Sequence, residues 1–244
     1  MTIAAEREFR LRWMDFDRYG RMQPTALLDM FQGLAIVHAE ELGIGRAAML
    51  ERGVVWVVVR AKLQVLRDPL PDKIVTIRTW PHSLSRFSFT RDFSMRDENG
   101  EELVKASQEW VLMNFETRTF SSTKDVYNGP EDFEEARAFD KRLRKLRDFE
   151  AEGDPALIVV PRFADIDVNG HVNNAVYGNY IVNAVNPGPD GAIGSLQIDY
   201  RHEALPDEPL AVHVQQEEGL VKVKAINPRG EISFAADREV RDVG

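Results

Sequence analysis

The chain has 244 residues, 43% of them hydrophobic, with a formal net charge of −9 and no cysteine. This length suffices for one large domain or two small ones, the negative charge argues against nucleic-acid binding, and the lack of cysteine excludes a thiol nucleophile, thiolate metal ligands and disulfides. The sequence has no apolar run of about 18 residues and no apolar leader, so we expect a cytoplasmic protein without membrane insertion.

The first elements in chain order are a short strand, a polar loop and an amphipathic helix. We predict the strand at 9–13, and the loop reads WMDFDRYGRMQP. Pro24 suits the first turn of a helix. Apolar residues then recur at helical spacing, namely Leu27, Phe31, Leu34, Ala35 and Leu42. β-Branched residues predict a strand at 54–66, and DENG at 97–100 indicates a hairpin turn between later strands.

A linker follows at roughly 126–155. It contains the charged run ARAFDKRLRKLRDFE, whose periodicity is partly helical. We expect this segment to cross the surface between an N-terminal domain, residues 1–125, and a C-terminal domain, residues 156–244.

The second domain repeats the element order of the first. We predict a strand at 157–163, a polar loop, and a strand at 195–200, with NPRG at 227–230 as a hairpin turn. Between the loop and the second strand, apolar residues again follow a helical period, namely Tyr177, Tyr180, Ile181, Ala184 and Val185. One helix followed by antiparallel strands in each copy predicts an α+β fold, with the helix covering the apolar face of the sheet.

Local matches support a duplication. Three residues of the first loop recur 150 positions later in the second, with Asp15, Asp17 and Gly20 becoming Asp165, Asp167 and Gly170. LPD at 70–72 recurs at 205–207, and GE at 100–101 recurs at 230–231. The matches occur in the same order in both copies, and the distance between matched residues falls from 150 to 135 to 130 positions. Two copies with shorter loops in the second would give this decrease.

The second loop carries polar residues that the first loop lacks. Asn169 stands where the first copy has Tyr19, and His171 stands where it has Arg21. The aspartates and glycine occur in both copies and can serve the loop itself, because Asp accepts backbone N–H bonds in turns and Gly permits a positive φ. Asn169 and His171 are therefore candidates for chemistry. The alternative is structural, with Asn173 or Asn174 capping the helix and His171 simply packed.

These residues resemble a family signature. In chain order they are Asp167, Asn169, His171, Val172, Asn173, Asn174 and Tyr177. The pattern resembles that of the plant and bacterial acyl-acyl-carrier-protein (acyl-ACP) thioesterases, and the likeness covers nearly the whole chain. It implies a double (tandem) hotdog fold, in which each half is a long helix wrapped by an antiparallel β-sheet. It also implies hydrolysis of fatty acyl-ACP thioesters in fatty acid biosynthesis.

The resemblance implies one more catalytic acid. The family has an acid in a Tyr-Arg-x-Glu-Cys-like stretch, which here reads YRHEA and supplies Glu203. Ala204 replaces the cysteine, so a thiolate cannot attack the acyl group and water must be the nucleophile.

Thioester hydrolysis requires a base for water and donors for the developing oxyanion. Glu203 is the candidate base, and Asp167 orients the cluster or shares the base role. Asn169 and His171 can donate N–H bonds to the oxyanion, although His171 could instead act as a base. We expect no metal and no cofactor, because the five histidines show no paired ligand spacing.

The acyl chain is expected in the first half. All seven methionines and all four tryptophans precede position 150, and such flexible or large apolar side chains suit an acyl-chain tunnel. The resemblance also implies that chain length is set there. The substrate-binding candidates are Met30, Phe31, Leu34, Trp56 and Val58, together with Asn173, Asn174 and Tyr177 beside the catalytic cluster. The alternative is that the first five only pack a core.

The expected partner is an acyl carrier protein with a phosphopantetheine-linked acyl chain. Because such carriers are acidic, docking requires a basic patch. The linker offers six bases, namely Arg137, Lys141, Arg142, Arg144, Lys145 and Arg147. The alternative is a solvated charged face without a partner. A monomer and a homodimer are both compatible with the sequence.

Three alternative functions would differ from this one in identifiable features. An acyl-CoA thioesterase would use the same fold and cluster and would differ only in its docking surface. A non-catalytic acyl-binding hotdog protein would have a degraded cluster, whereas every polar member is retained here. A hotdog hydratase would favour an Asp-x-Asn-Pro-x-His pattern, whereas Gly170 directly follows Asn169 in this chain.

Overall fold

The computed structural model describes residues 3–189 and 191–242. Within these residues the chain forms one antiparallel sheet of eleven strands, with helices packed on one face. The first half contains β1 Ala5–Arg10, α1 Pro24–Glu41, α2 Arg46–Leu50, β2 Val54–Val65, β3 Ile74–Pro81, β4 Ser88–Arg96, β5 Glu102–Asn114, β6 Phe120–Ser121 and α3 Thr123–Val126. The second half contains β7 Leu157–Val159, α4 Tyr177–Val185, β8 Gly191–Tyr200, β9 Leu210–Glu217, β10 Leu220–Ile226 and β11 Ile232–Asp242.

The strand order has an internal two-fold pattern. It runs β1-β3-β4-β5-β2-β8-β11-β10-β9-β7, with β6 added on β5. Strands β1, β3, β4, β5 and β2 of the first half correspond to β7, β9, β10, β11 and β8 of the second half. The two sets therefore occur in the same order when each is read from its own edge of the sheet towards the middle. This arrangement confirms the predicted α+β class and gives the two halves a common plan.

The halves meet at the middle of the sheet. Residues 60–64 of β2 pair with residues 195–199 of β8, and the Arg60 guanidinium binds the buried Asp199 carboxylate at 2.9 Å across this joint. On the helical face, Thr25 of α1 donates to Asn179 of α4 at 2.6 Å. One apolar core runs through both halves, from Leu11 to Ala236, so neither half buries its apolar face alone.

The linker crosses the sheet as an extended strap, residues 134–149, on the face opposite α1 and α4. Its backbone N–H groups bind buried carboxylates of the sheet: Ala138 donates to Asp92 at 2.7 Å and Leu146 donates to Asp199 at 2.7 Å. Between these points Lys62 of β2 and Lys105 of β5 lie 5.0 and 4.9 Å from the centre of the Phe139 ring. The strap therefore covers buried polar groups on the outer face.

The predicted partial helix in the linker is wrong. No helix is present in residues 127–156 of the structure, because the sheet's side chains bind the backbone groups that a helix would use internally. The partly helical periodicity of this charged run could not reveal these distant partners, since tertiary contacts override weak helical propensity.

Three other expectations differ in extent. The strands predicted at 9–13 and 157–163 end earlier, and 3₁₀ turns occupy 13–15 and 163–165. The second helix, α4, has only 9 residues, against 18 in α1, so it is not a long helix. It starts late because the preceding turn is held by Asn173, and it ends at Asn186, which is left-handed with φ 44°.

Candidate active site

The loop at 165–174 is closed by its own backbone. The N–H of Asp167 donates to the carbonyl of His171 at 3.0 Å. The carbonyl of Asp167 in turn accepts the N–H of Gly170 at 3.0 Å. Gly170 has φ +83°, a conformation that favours glycine. The Asp167 carboxylate accepts the Asn169 N–H at 2.8 Å. One oxygen of Asp167 is thus used to build the turn.

The first copy builds the same turn without the polar cluster. The Asp17 N–H donates to the Arg21 carbonyl at 2.8 Å, which is the equivalent backbone bond, and the Asp17 carboxylate accepts the Tyr19 N–H at 2.8 Å. Gly20 has φ +75°. These matching bonds support the interpretation that the shared aspartates and glycines form the loop.

The residues after the loop lead into α4. The Asn173 side-chain oxygen accepts the Ala175 N–H at 2.9 Å, which caps the turn before the helix. The Asn174 carbonyl accepts the Tyr200 hydroxyl at 3.1 Å. Helix α4 itself starts after Val176 and has no side-chain cap bond, so the predicted capping of the helix by Asn173 or Asn174 is wrong: Asn173 holds the preceding turn instead. The predicted contacts of Asn173 and Asn174 with substrate stay predictions.

Asn169 is exposed and touches the other half of the protein. Its side-chain oxygen accepts a bond from Nη1 of Arg46, at the start of α2, at 2.7 Å. Among the described residues this is the one side-chain hydrogen bond that Asn169 makes. Its amide nitrogen is therefore available to a ligand.

The His171 ring makes a bond that fixes its neutral tautomer. Its Nδ1 lies 3.1 Å from the Val172 carbonyl oxygen. A carbonyl can only accept, so Nδ1 carries the proton. In the neutral ring Nε2 then presents a lone pair, which can take a proton but cannot donate one to an oxyanion.

The segment that carries Glu203 is joined to this loop by a backbone bond and to α4 by a bond to a tyrosine side chain. The Val172 N–H donates to the Ala204 carbonyl at 3.0 Å, and the Ala204 N–H donates to the Tyr177 hydroxyl at 3.3 Å. His171 directly precedes Val172, and Glu203 directly precedes Ala204, so the bond between Val172 and Ala204 brings the backbone of His171 close to that of Glu203. The Glu203 carboxylate, 39% exposed, also pairs with Arg118 of the first half.

Tyr177 lies beneath the cluster, in the core. It is 3% exposed, and its ring packs against Tyr180, Tyr200 and Phe234. Burial raises the pKa of its phenol, which keeps the hydroxyl neutral and able to accept the Ala204 N–H. Its position indicates support of the Glu203 segment, while the predicted contact with substrate is untested.

The first copy's loop has an arginine in place of the histidine, and this arginine bonds to the second half. Arg21, the counterpart of His171, donates to the carbonyls of Gly188 and Gly191 at 2.8 and 2.6 Å. Both loops thus bond to the other half, the first through Arg21 to backbone carbonyls and the second through the Asn169 side chain to Arg46. This difference leaves one cluster per chain rather than two.

The five acyl-chain candidates do not share one cluster. Phe31 and Leu34 of α1 are buried in the main core, with Met30 packed against them. Trp56 packs on a second, smaller cluster around Ile44 and Met49, and donates to the Ile44 carbonyl at 2.9 Å. Val58 is also buried. A tunnel through these residues would have to pass from the smaller cluster into the main core.

The six candidate docking bases are placed on the strap. All six are exposed, and none has an ion pair within the described residues. They are Arg137, Lys141, Arg142, Arg144, Lys145 and Arg147. They lie on the outer face of the sheet, opposite the helices.

Sequence reasoning missed two residues, Arg46 and Arg118. They lie 123 and 85 positions from their partners Asn169 and Glu203. No local spacing relates residues so far apart, and a lone exposed arginine carries no signal of its own.

The described residues contain no group of three His, Asp or Glu side chains that could hold a metal ion. Within the same part of the chain, no helix has the length and apolar character needed to cross a membrane.

Comparison with known proteins gives a consistent result in both halves. The model of the acyl-ACP thioesterase N-terminal domain matches residues 3–129, and the model of the acyl-ACP thioesterase C-terminal domain matches residues 153–239. An acyl-[acyl-carrier-protein] hydrolase of Cuphea viscosissima is 29% identical, covering 84% of this chain and 51% of that protein. A dodecanoyl-[acyl-carrier-protein] hydrolase of Umbellularia californica is 32% identical, covering 76% of this chain and 52% of that protein. The chain thus spans about half the length of these relatives.

Solved structures show the same likeness over the full chain. An acyl-ACP thioesterase from Bacteroides thetaiotaomicron matches with a TM-score of 0.88 at 20% identity, covering 98% of both chains. The 12:0-ACP thioesterase from Umbellularia californica matches with a TM-score of 0.81 at 25% identity, covering 99% of this chain and 98% of that one.

Proposed function

Because this chain belongs to the acyl-ACP thioesterase family, we propose that it hydrolyses the thioester of a fatty acyl group on an acyl carrier protein. The products are a free fatty acid and the carrier with its phosphopantetheine thiol. The observation that supports the proposal most is the backbone bond from Val172 to Ala204, which joins the segment that carries Asn169 and His171 to the segment that carries Glu203. The two-fold strand order and the structural neighbours support a double hotdog fold for the pair of halves.

In the proposed reaction, water attacks the thioester carbonyl carbon while Glu203 takes a proton from it, and the carbon–sulfur bond then breaks. Protonated Glu203 returns this proton to the departing thiolate, which becomes the thiol. The Asn169 amide nitrogen donates to the oxyanion that forms on the carbonyl oxygen. Ala204 offers no thiol, so no acyl-enzyme on a cysteine is part of the scheme.

The His171 tautomer bears on its role. Since Nδ1 is bound to the Val172 carbonyl, the neutral ring offers Nε2 as a proton acceptor. This supports a role for His171 in moving protons together with Glu203, rather than in binding the oxyanion. Asp167 then orients the loop through its bond to the Asn169 N–H.

The acyl chain is proposed to enter the first half. Relatives in the family are named for dodecanoyl, palmitoyl and oleoyl carriers, so a panel of chain lengths is the right first substrate set. The panel should present each acyl group on carrier protein and on coenzyme A, because the second form tests the acyl-CoA thioesterase alternative.

The test measures free thiol released from this panel by the wild type, Glu203→Ala and Asn169→Ala. We expect release by the wild type, a loss of roughly 10²–10⁴-fold in kcat for Glu203→Ala, and a loss of roughly 10²–10³-fold for Asn169→Ala. Tyr19→Ala is the matched control, because Tyr19 occupies the position of Asn169 in the first loop.

The outcomes separate the functions. Faster release from coenzyme A than from carrier protein would replace the proposed substrate with acyl-CoA. No release from any substrate, with acyl binding retained, would overturn hydrolysis and leave an acyl-binding protein.

A further inference from the structure

The bond between Arg46 and Asn169 fixes which way the amide faces. A guanidinium group carries only donors, so the Asn169 atom that lies 2.7 Å from Arg46 Nη1 has to be the oxygen. The two N–H groups of the Asn169 amide then point away from Arg46. An amide that is free to rotate would present its oxygen to the substrate part of the time, and oxygen would repel an oxyanion.

The backbone at Arg46 is held in place by three contacts within the first half. The Arg46 N–H donates to the Glu40 carboxylate at 2.9 Å. Gly45 lies against that carboxylate so closely that a Cβ there would be 2.0 Å from the Glu40 Cδ. Ile44 is 1% exposed, and its carbonyl accepts the Trp56 indole N–H. The guanidinium therefore extends from a fixed point.

We propose that Arg46 is a positioning residue, which orients the Asn169 amide of the other half so that Nδ2 donates to the oxyanion. This inference deepens the proposed hydrolysis and rests on it. Preorganised donors contribute to catalysis because no reorganisation is needed when charge develops. Arg46 thus makes the first half part of the active site, although the other proposed catalytic groups lie in the second half.

The kinetic test is a double-mutant cycle with Arg46→Ala, Asn169→Ala and the double variant. Acyl-coenzyme A and acyl-carrier substrates are both used. We expect Arg46→Ala to lower kcat about tenfold on both substrates with KM near the wild-type value, as for the loss of an interaction made in the transition state. In the Asn169→Ala background the same change should have no further effect. Arg46→Lys, which keeps a donor, should restore part of the rate.

Arg52→Ala is the matched control. Arg52 lies just beyond the other end of α2 and bonds to the Val126 carbonyl and to Asn128. We expect wild-type kcat for this variant. Each variant's thermal unfolding is measured so that a loss of fold is not read as a loss of rate.

Two kinetic results would overturn the inference while leaving hydrolysis intact. The first is an Arg46→Ala enzyme as fast as the wild type when Asn169→Ala is slow. The second is a rise in KM for the carrier substrate that persists in the Asn169→Ala background, which would assign Arg46 to carrier binding.

Nitrogen-15 relaxation of the Asn169 side-chain amide tests the orientation even if the wild type releases no thiol. The signal is identified by its absence in Asn169→Ala. We expect an order parameter near that of rigid groups, about 0.85, in the wild type and below about 0.6 in Arg46→Ala. Equal mobility in the two proteins would overturn the inference, whereas inactivity of the wild type would overturn only the proposed function.

Discussion

Gly170 and Gly20 occupy the same position in the two copies of one turn, with φ +83° and +75°. A Cβ at either position would meet no atom within 4 Å. The cost of Gly→Ala therefore comes from the left-handed backbone and should be roughly 1–2 kcal/mol at both sites. These matched positions allow the effect on stability to be separated from the effect on activity.

We predict that Gly170→Ala and Gly20→Ala lower the free energy of unfolding by similar amounts, but that only Gly170→Ala lowers kcat. The reason is that the Gly170 turn holds Asn169 and His171, whereas the Gly20 turn carries Tyr19 and Arg21. Urea unfolding and thiol release measured on both variants would check this. Equal losses of kcat would mean that the second loop has no special role in the reaction.

The residues at the candidate site differ in whether the sequence alone could point to them. Comparison of the copies makes Asn169 and His171 candidates, because the first loop serves as an internal control that forms without them, and their roles stay predictions. The predicted helix cap by Asn173 or Asn174 was wrong, because a separate turn held by Asn173 precedes the helix and α4 starts only after Val176. Arg46 and Arg118 could not be predicted, since their role arises from contacts across the two halves.

At the scale of elements, local patterns predicted the two main helices, α1 and α4, and the first two strands of each half, but not their ends, and they did not predict the short helices α2 and α3. The apolar period of α1 and α4 and the hairpin turns gave the element order correctly. The strap was misread because its backbone is bound by Asp92 and Asp199, which lie far away in the sequence. A sheet face with buried carboxylates holds an extended segment that local propensity alone would leave partly helical.

The strap also carries the hypothesis for carrier docking. We predict that reversing Lys141, Arg144 and Arg147 to Glu raises KM several-fold for acyl-carrier substrates but not for acyl-coenzyme A, because an acidic carrier would lose its complementary charges. Steady-state kinetics at low and moderate salt would check this, since charge steering is screened by salt.

The control for this prediction reverses Lys73 and Arg96, two exposed bases outside the strap. Their reversal changes the net charge without changing the strap. A rise in KM of the same size in both variants would reflect overall charge alone. Unchanged KM in the strap variant would remove the strap from the docking surface.

At the scale of the whole molecule, the two-fold strand order explains why one chain has one cluster. A pair of identical halves would form two equivalent sites at the joint. Here Arg21 binds the Gly188 and Gly191 carbonyls at the first loop, while the second loop has Asn169 and His171. Under the proposed function, the first copy of the loop is structural and the second carries the reaction.

The shared core also contains a titratable group with a consequence for stability. His38 of α1 is 4% exposed, and its Nδ1 accepts a bond from the buried Arg91 at 2.7 Å. Burial, followed by the positive charge of Arg91, lowers the pKa of His38 to about 4 from its ordinary 6.5. As pH falls through this range the unfolded chain takes up the proton first, so folding stability falls.

We predict that His38 alone costs the protein about 2 kcal/mol of unfolding free energy between pH 7 and pH 5. His38→Asn removes the titrating imidazole while keeping an oxygen that can accept a hydrogen bond from Arg91. The unfolding free energy of this variant should therefore fall by about 2 kcal/mol less than that of the wild type between pH 7 and pH 5. Urea unfolding of both proteins at the two pH values isolates the contribution, because all other carboxylates and histidines titrate equally in the two. If the losses were parallel, protonation of His38 would be tolerated in the core, and the Arg91 guanidinium would have to turn away from the ring to make room for the new charge.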